Sequence, residues 1–378
     1  MEVKIAGSIR ELDKAQWDDI AGNNVMNSYG WLKTIEETFI EKIIPHIYYI
    51  TDSRGIVSAS ACYILYLGNV FGSFDHVIFG SFLDYARKLK ISFLPALICT
   101  PFSYSSHFLF REDVDLDKRK NAANKLLEAI EETAKRKHLS IAFINASDEE
   151  TLLDGMLQRK GYPKILDMPL CYLDICWNSF KGYGEYLKSI SKNIWKSVRR
   201  EINKNNKEGV LIKQLEVVES REERLHELVN MNVDVHNKLP FMFSKLFYKR
   251  LKENLENNAT IYAAFKKDSI IGVCISISRN GRSFIPIVGV DHEMSGNDCT
   301  YFNITYNRPI MDAISSGKTR IYFGRGMYEL KRRRGCKVKN IFFYYKPYSM
   351  KQKILAIILF PLRSIWIRKM LPEKIRAG

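Results

Sequence analysis

Residues 320–346, RIYFGRGMYELKRRRGCKVKNIFFYYK, concentrate groups able to do chemistry. The stretch reads as a strand, a glycine turn, a polar hinge, a run of cations and a second strand. Gly324 and Gly326 let the backbone turn sharply or approach a ligand closely. A strand edge there would offer N–H groups to an oxyanion. In an extended chain Glu329 and Lys331, two residues apart, point the same way. A carboxylate beside an ammonium orients an amine or takes its proton, and Lys331 could steady the charge of a tetrahedral intermediate. Arg332, Arg333 and Arg334 cannot all point one way, so at least one faces solvent or a phosphate. Gly324, Gly326, Arg332 and Arg334 are therefore candidates for holding a phosphorylated co-substrate. The plainer alternative is a surface hairpin with solvated charges.

A second constellation lies in YGEYLKSISKNIWKSVRREINKNNKEG, which the spacing predicts as one long helix stopped at Gly209. Lys188, Lys192, Lys196, Arg200 and Lys204 recur every four residues, and Ile190, Ile194, Val198 and Ile202 form a second stripe. An offset of two residues turns a helix by about 200°, so the helix packs one face and shows cations on the other. No acid interrupts residues 186–200, and the first is Glu201. Lys192, Lys196 and Arg200 are the candidate anion contacts, against the alternative of a solvated amphipathic helix. His236, in VDVHNKLPF, is a candidate base or a helix cap. Asp291 and the adjacent His292 follow an apolar strand and read the same way. Tyr301 and Tyr306 on one helix, with Tyr328, are candidates for touching substrate, or core packing. No Ser/His/Asp order, P-loop or Cys/His metal cluster stands out.

The elements that must position these groups occur in an order that repeats. The first half reads as two short helices around Gly22–Asn24, a hairpin at Ser53–Gly55, an apolar strand ending in Pro-Phe, a helix with Ala122, Leu126, Leu127, Ile130 and Ala134 on one face, a strand, a helix and a strand. The second half repeats this grammar. Its three-strand meander turns at Lys267–Asp268 and Asn280–Gly281, and its helix over residues 301–317 is expected to kink at Pro309. The order implies α+β architecture in two similar domains. Charge divides with them: residues 1–170 carry 20 Lys+Arg against 23 Asp+Glu, and residues 171–378 carry 38 against 19. A basic half implies a polyanionic partner. The seven scattered cysteines read as buried, reduced thiols of a cytoplasmic protein.

This grammar resembles the GNAT superfamily of N-acyltransferases, and more narrowly the FemAB-like group, in which two such domains stand in tandem. NNVMNSYGWLKTIEET, LICTPFSYSSHFLF, YGEYLKSISKNIWKSVRREINK and YFGRGMYELKRRRGCK carry the resemblance, the last through Gly326, Glu329, Lys331 and Gly335. It implies two GNAT-like domains, 1–170 and 171–350, each a central, mostly antiparallel sheet flanked by helices. A basic amphipathic tail, 351–378, follows. It also implies transfer of an acyl group from an activated ester to a small-molecule or peptide amine. Acyl-CoA is the expected donor and no cofactor is held tightly. The alternative is an aminoacyl-tRNA donor with a peptidoglycan-precursor or peptide acceptor. A second alternative is a non-catalytic binder of nucleic acid or membrane. One departure stands out. Acyl-CoA-binding relatives place Arg/Gln-x-x-Gly-x-Gly/Ala after the fourth strand, where backbone N–H groups hold a pyrophosphate. Here that turn is GVDHEMSGNDCTYFN, which has one useful glycine, Gly296, and no such motif.

The tail carries seven Lys+Arg and one Glu in residues 351–378. Its apolar run is too short to span a bilayer. It reads either as a helix docked on the second domain or as one lying on an anionic membrane at the inner face.

Overall fold

A computed structural model describes residues 2–67, 70–79, 92–105, 108–216, 218–235 and 241–371. The chain divides into two compact units, residues 1–169 with 339–378 and residues 170–338.

In the first unit the strands β1 (Val3–Ala6), β2 (Ile43–Asp52), β3 (Gly55–Leu67), β4 (Ala96–Cys99) and β5 (Ser140–Ser147) are neighbours in that order. The β2–β3 hairpin closes at the Asp52–Gly55 pair. Gly55 there has φ of 115°, a value that L side chains rarely adopt. The β4–β5 pair is parallel and the others are antiparallel. Helices α1 (Lys14–Ala21) and α2 (Tyr29–Thr38) flank the polar turn. Helix α3 (Leu116–Arg136) starts on Asp115, whose side chain accepts from the Lys118 amide. It buries the predicted stripe, Ala122, Leu126, Leu127, Ile130 and Ala134, against Tyr48, Phe143 and Tyr162.

The second unit repeats the plan with β7 (Val210–Gln214), β8 (Ala259–Lys266), β9 (Ser269–Arg279), β10 (Arg282–Val290) and β11 (Arg320–Gly324). Again the last pair, β10–β11, is parallel and the rest are antiparallel. The expected turns are present, with positive φ at Lys267, Asn280 and Gly281. The expected kink takes the form of a widened turn. Residues Asn303–Asn307 form a π-helical segment immediately before α7 (Arg308–Ser315), whose second residue is Pro309. Pro309 has no N–H to return to the preceding turn, and the ladder loosens there.

The sixth strands are exchanged. In chain order the strand after β5 is β6 (Lys164–Asp174), yet its segment Cys171–Asp174 pairs antiparallel with β11. The strand after β11 is β12 (Lys337–Lys346), yet Ile341–Lys346 pairs antiparallel with β5. The expectation of a second domain running to 350 is corrected accordingly, because residues 339–378 fall in the first unit. The helix within the expected tail, Met350–Met370, also belongs to the first unit and not the second. There Phe360 stacks on Phe79, and Arg363 donates to the Ile78 and Leu166 carbonyls and pairs with Asp167.

Candidate functional site

The second unit's sheet opens at its parallel pair. β10 and β11 match at Arg282–Arg320, Ser283–Ile321 and Phe284–Tyr322, and the pairing ends there although both strands continue. The Phe284 and Tyr322 rings stack across this last rung at 4.6 Å. The cause is legible in SFIPIVGV. On its other side β10 skips register against β9, from Ile277–Phe284 to Ile275–Ile287, so Ile285 and Pro286 form a bulge. Proline has no N–H for the ladder, and a bulge turns the strand away from its neighbour. Pro286 in the bulge and Ile287 and Val288 beyond it are half-exposed. The two strands therefore part beyond this rung and leave a gap in the ladder within the sheet.

The β11 side of the gap leads into the motif that carries most of the sequence's chemistry. Gly324 and Gly326 have φ of 71° and 73°, as a sharp glycine turn requires. The polar hinge is not extended. Residues Tyr328–Arg333 form a short helix, α8, entered from Met327 at φ 51°. The expected common side of Glu329 and Lys331 is therefore corrected, since two residues on a helix lie about 200° apart. Glu329 is exposed and accepts from Arg332 and Arg333. These guanidiniums hold its carboxyl below the ordinary glutamate range. Lys331 is buried, and its ammonium donates to the carbonyls of Phe323 (2.7 Å), Gly324 (3.3 Å) and Arg325 (3.0 Å). A trans peptide points its N–H opposite to its C=O. Lys331 therefore turns the following amides, at Gly324, Arg325 and Gly326, away from itself.

Arg334, a phosphate candidate by sequence, is committed elsewhere by the fold. It is buried, pairs with Glu201 at 2.8 Å, and lies over the Tyr306 and Phe302 rings at 4.6 and 5.1 Å. Glu201, which the sequence marks only as the first acid after the basic stripe, also has its backbone carbonyl taken by Asn303. Tyr306 and Tyr328 are buried, and Tyr301 sits 6.1 Å from Tyr306 ring to ring. Burial raises the pKa of both the Tyr301 and the Tyr306 hydroxyl above the ordinary tyrosine value. Asp291 caps residues 292–295 by accepting from the Met294 amide and pairs with Arg224 at 2.7 Å. Burial favours its neutral form, but the Met294 amide and Arg224 outweigh that and hold its carboxyl below the aspartate range. His236 lies outside the described residues. Among the described residues no cluster fit to hold a metal is present.

The basic helix is two helices. α4 (Phe180–Ile190) ends at Ser191, whose extended backbone (φ −167°, ψ 131°) also caps α5 (Lys192–Lys207). Lys188 therefore leaves the stripe, and Ile190 is exposed. On α5 the buried face is Val198, Glu201 and Asn205. Lys192, Lys196, Arg199 and Arg200 are exposed and form no ion pair among the described residues. Between and along these helices runs a groove of about 1440 Å³, lined by eight Lys/Arg side chains and two carboxylates, Glu185 and Glu208. Glu185 is already paired with Lys188 at 2.7 Å. Aromatic packing holds the helix pair: Trp195 lies against Phe180, and Trp177 against Tyr183 and Tyr186. Gly184 is required where the Trp195 ring passes, because an added Cβ would meet it at 2.6 Å. Arg333 of α8 lines the same groove, so one short helix joins the groove to the turn at the gap.

The turn after β10 is held by its own acids, which accept from its amides and pair with cations. Asp298 is buried, accepts from the Thr300 amide and pairs with Lys266 at 3.2 Å. Asp291 and Asp298 are thus each paired with a cation, and between them the turn has one glycine, Gly296.

Two tandem units of this topology, each a mixed sheet with one parallel pair, are GNAT-fold architecture. The FemAB-like family model, described as peptidoglycan biosynthesis/recognition, matches residues 8–355, and the chain belongs to that family. Among solved structures it is similar to FemX, with a TM-score of 0.57 and 10% identity over 95% of this chain and 100% of that one. It is also similar to L-PGS from Bacillus licheniformis, with a TM-score of 0.55 and 12% identity over 96% of this chain and 100% of that one. Among curated proteins no sequence match is found.

Proposed function

We propose that this transferase takes an aminoacyl group from tRNA and passes it to a peptide amine of the kind a peptidoglycan precursor carries. The observation that carries this reading is the groove along α4 and α5. The cations Lys192 to Lys207 follow one helix for about 22 Å at 1.5 Å per residue. Coenzyme A carries its phosphates on a single nucleotide, whereas six cations over that length, with Lys188 and Arg333 beside them, match a nucleic-acid backbone. The turn after β10 favours the same choice, because the Thr300 and Met294 amides in it are already taken by Asp298 and Asp291 and it has one glycine, Gly296, to bring further amides to a pyrophosphate. The family's peptidoglycan description supports the acceptor class.

In the reaction, the amine nitrogen attacks the ester carbonyl, and the new C–N bond forms as the C–O bond to the ribose breaks. The amine loses a proton and the ribose oxygen gains one. Most of the rate can come from holding the two reactants in the gap. The amides that Lys331 turns outward suit a developing oxyanion, which makes Lys331 a positioning residue. The test is transfer of label. The full chain is mixed with tRNA charged with radiolabelled amino acids and with peptidoglycan-precursor peptides bearing a free amine. Label should move from tRNA to peptide in an amide bond. Transfer from acetyl-CoA or longer acyl-CoA to the same amines, with none from tRNA, would overturn the reading.

A further inference from the structure

The helix α9 (Met350–Met370) has no ordinary amphipathic pattern, and its two apolar faces have different fates. Gln352, Ala356, Phe360, Arg363 and Ile367, at spacings of four, four, three and four, are buried in the first unit. The opposite side of the helix is apolar as well and remains uncovered. Ile354, Ile357, Ile358, Leu362, Ile365 and Trp366 are 51, 65, 53, 50, 53 and 39% exposed. At 100° per residue Ile354, Ile358, Leu362 and Ile365 face away from the packed side, and Ile357 and Trp366 flank them, so the six share one broad stripe. Soluble proteins seldom leave so continuous an apolar surface without a use.

The charges indicate what covers it. The helix contains no Asp or Glu. Its exposed cations sit at the two ends of the stripe, Lys351 and Lys353 in the first turn and Arg368 and Lys369 in the last. A protein partner would need a matching arrangement of acids around an apolar groove. A bilayer containing anionic lipid presents both at once: acyl chains to bury the isoleucines and phosphate headgroups for the flanking cations. Trp366, part apolar and part hydrogen-bonding, suits the boundary between them. No described helix is long and apolar enough to cross a membrane, which leaves the interface as its place. At 1.5 Å per residue the 21 residues give about 30 Å of contact length.

We infer that the exposed face of Met350–Met370 is a docking surface for anionic lipid, on which the protein sits peripherally. The inference does not depend on the proposed donor, because α9 belongs to the first unit and the basic groove to the second.

The experiment uses the full chain and sedimentation with vesicles of phosphatidylcholine alone or with about one-third phosphatidylglycerol. Binding should require the anionic lipid. It should fall at least about tenfold in the triple variant Ile354→Gln/Ile358→Gln/Ile365→Gln, whose side chains are exposed in the free protein, with the melting temperature unchanged. The variant Trp366→Phe should abolish a blue shift of tryptophan emission on adding vesicles. If Lys192→Glu/Lys196→Glu/Arg200→Glu removes vesicle binding and the triple isoleucine variant does not, the groove is the lipid site and the inference is wrong. A concentration-dependent dimer that the isoleucine variant breaks, with no vesicle binding by the unaltered chain, would assign the face to a second copy and also overturn it.

Discussion

At the scale of single residues, the groups that look most chemical in the sequence are largely engaged in holding the site together. Arg334 and Glu201 form a buried ion pair capped by two aromatic rings. Removing one partner strands a charge in the interior, so Arg334→Met should cost about 3–5 kcal/mol in chemical denaturation. The double variant Arg334→Met/Glu201→Met should recover most of that loss, and equal losses in single and double variants would show the pair is not coupled. His46 gives a pH signature. Burial disfavours its imidazolium, and the nearby Lys137 and Arg136 add to this, so its pKa lies below the ordinary histidine value of 6.5. A depressed pKa contributes stability that is fully present above the unfolded value and is lost as pH falls through the folded one. Melting temperature should therefore drop as pH falls from 7 to 5, and His46→Gln should flatten that drop. An identical pH profile in the variant would remove His46 from the account.

At the scale of elements, what was legible divides by the range of the interaction that decides it. The α3 stripe, the meander turns and the cationic face of α5 follow from local pattern, and the structure has them. The break at Ser191 is not visible in the pattern, because a serine can continue a helix or cap one, and the aromatic packing of Trp195 on Phe180 is a tertiary interaction. The segment Tyr328–Arg333 reads as extended because two flanking strands dominate the local pattern, while the carbonyl cage around Lys331 is visible only in three dimensions. Pro286 is a signal in plain view: a proline inside a strand marks a bulge, and this bulge opens the gap. Gly184 tests the helix pair. Gly184→Ala drives a methyl into the Trp195 ring and should destabilise by about 1–3 kcal/mol, with weakened tRNA binding as the groove shifts. Unchanged stability and binding would mean that the aromatic packing does not shape the groove.

At the scale of the whole molecule, the strand exchange has a direct consequence. Local pattern assigns β6 and β12 to the halves in which they occur, but strand pairing assigns each to the other half's sheet. A fragment of residues 1–170 would lack β12 and leave the β5 edge unpaired, which favours aggregation. It should be insoluble, whereas the same residues joined by a flexible linker to 337–371 should give a monomer with a cooperative melt. A well-behaved monomer from 1–170 alone would contradict the exchange.

The central claim is that the cationic groove serves a nucleic-acid donor. The most direct measurement is the equilibrium affinity of the full chain for tRNA and for coenzyme A across a series of salt concentrations. The account predicts tRNA binding whose logarithm falls steeply and linearly with log salt. The slope should shrink by about two to three in Lys192→Glu/Lys196→Glu/Arg200→Glu, because each phosphate that a cation no longer neutralises removes about 0.7–0.9 from it. Coenzyme A should bind weakly, with little change in that variant. Tight coenzyme A binding, with tRNA affinity that the charge reversals leave untouched, would contradict it.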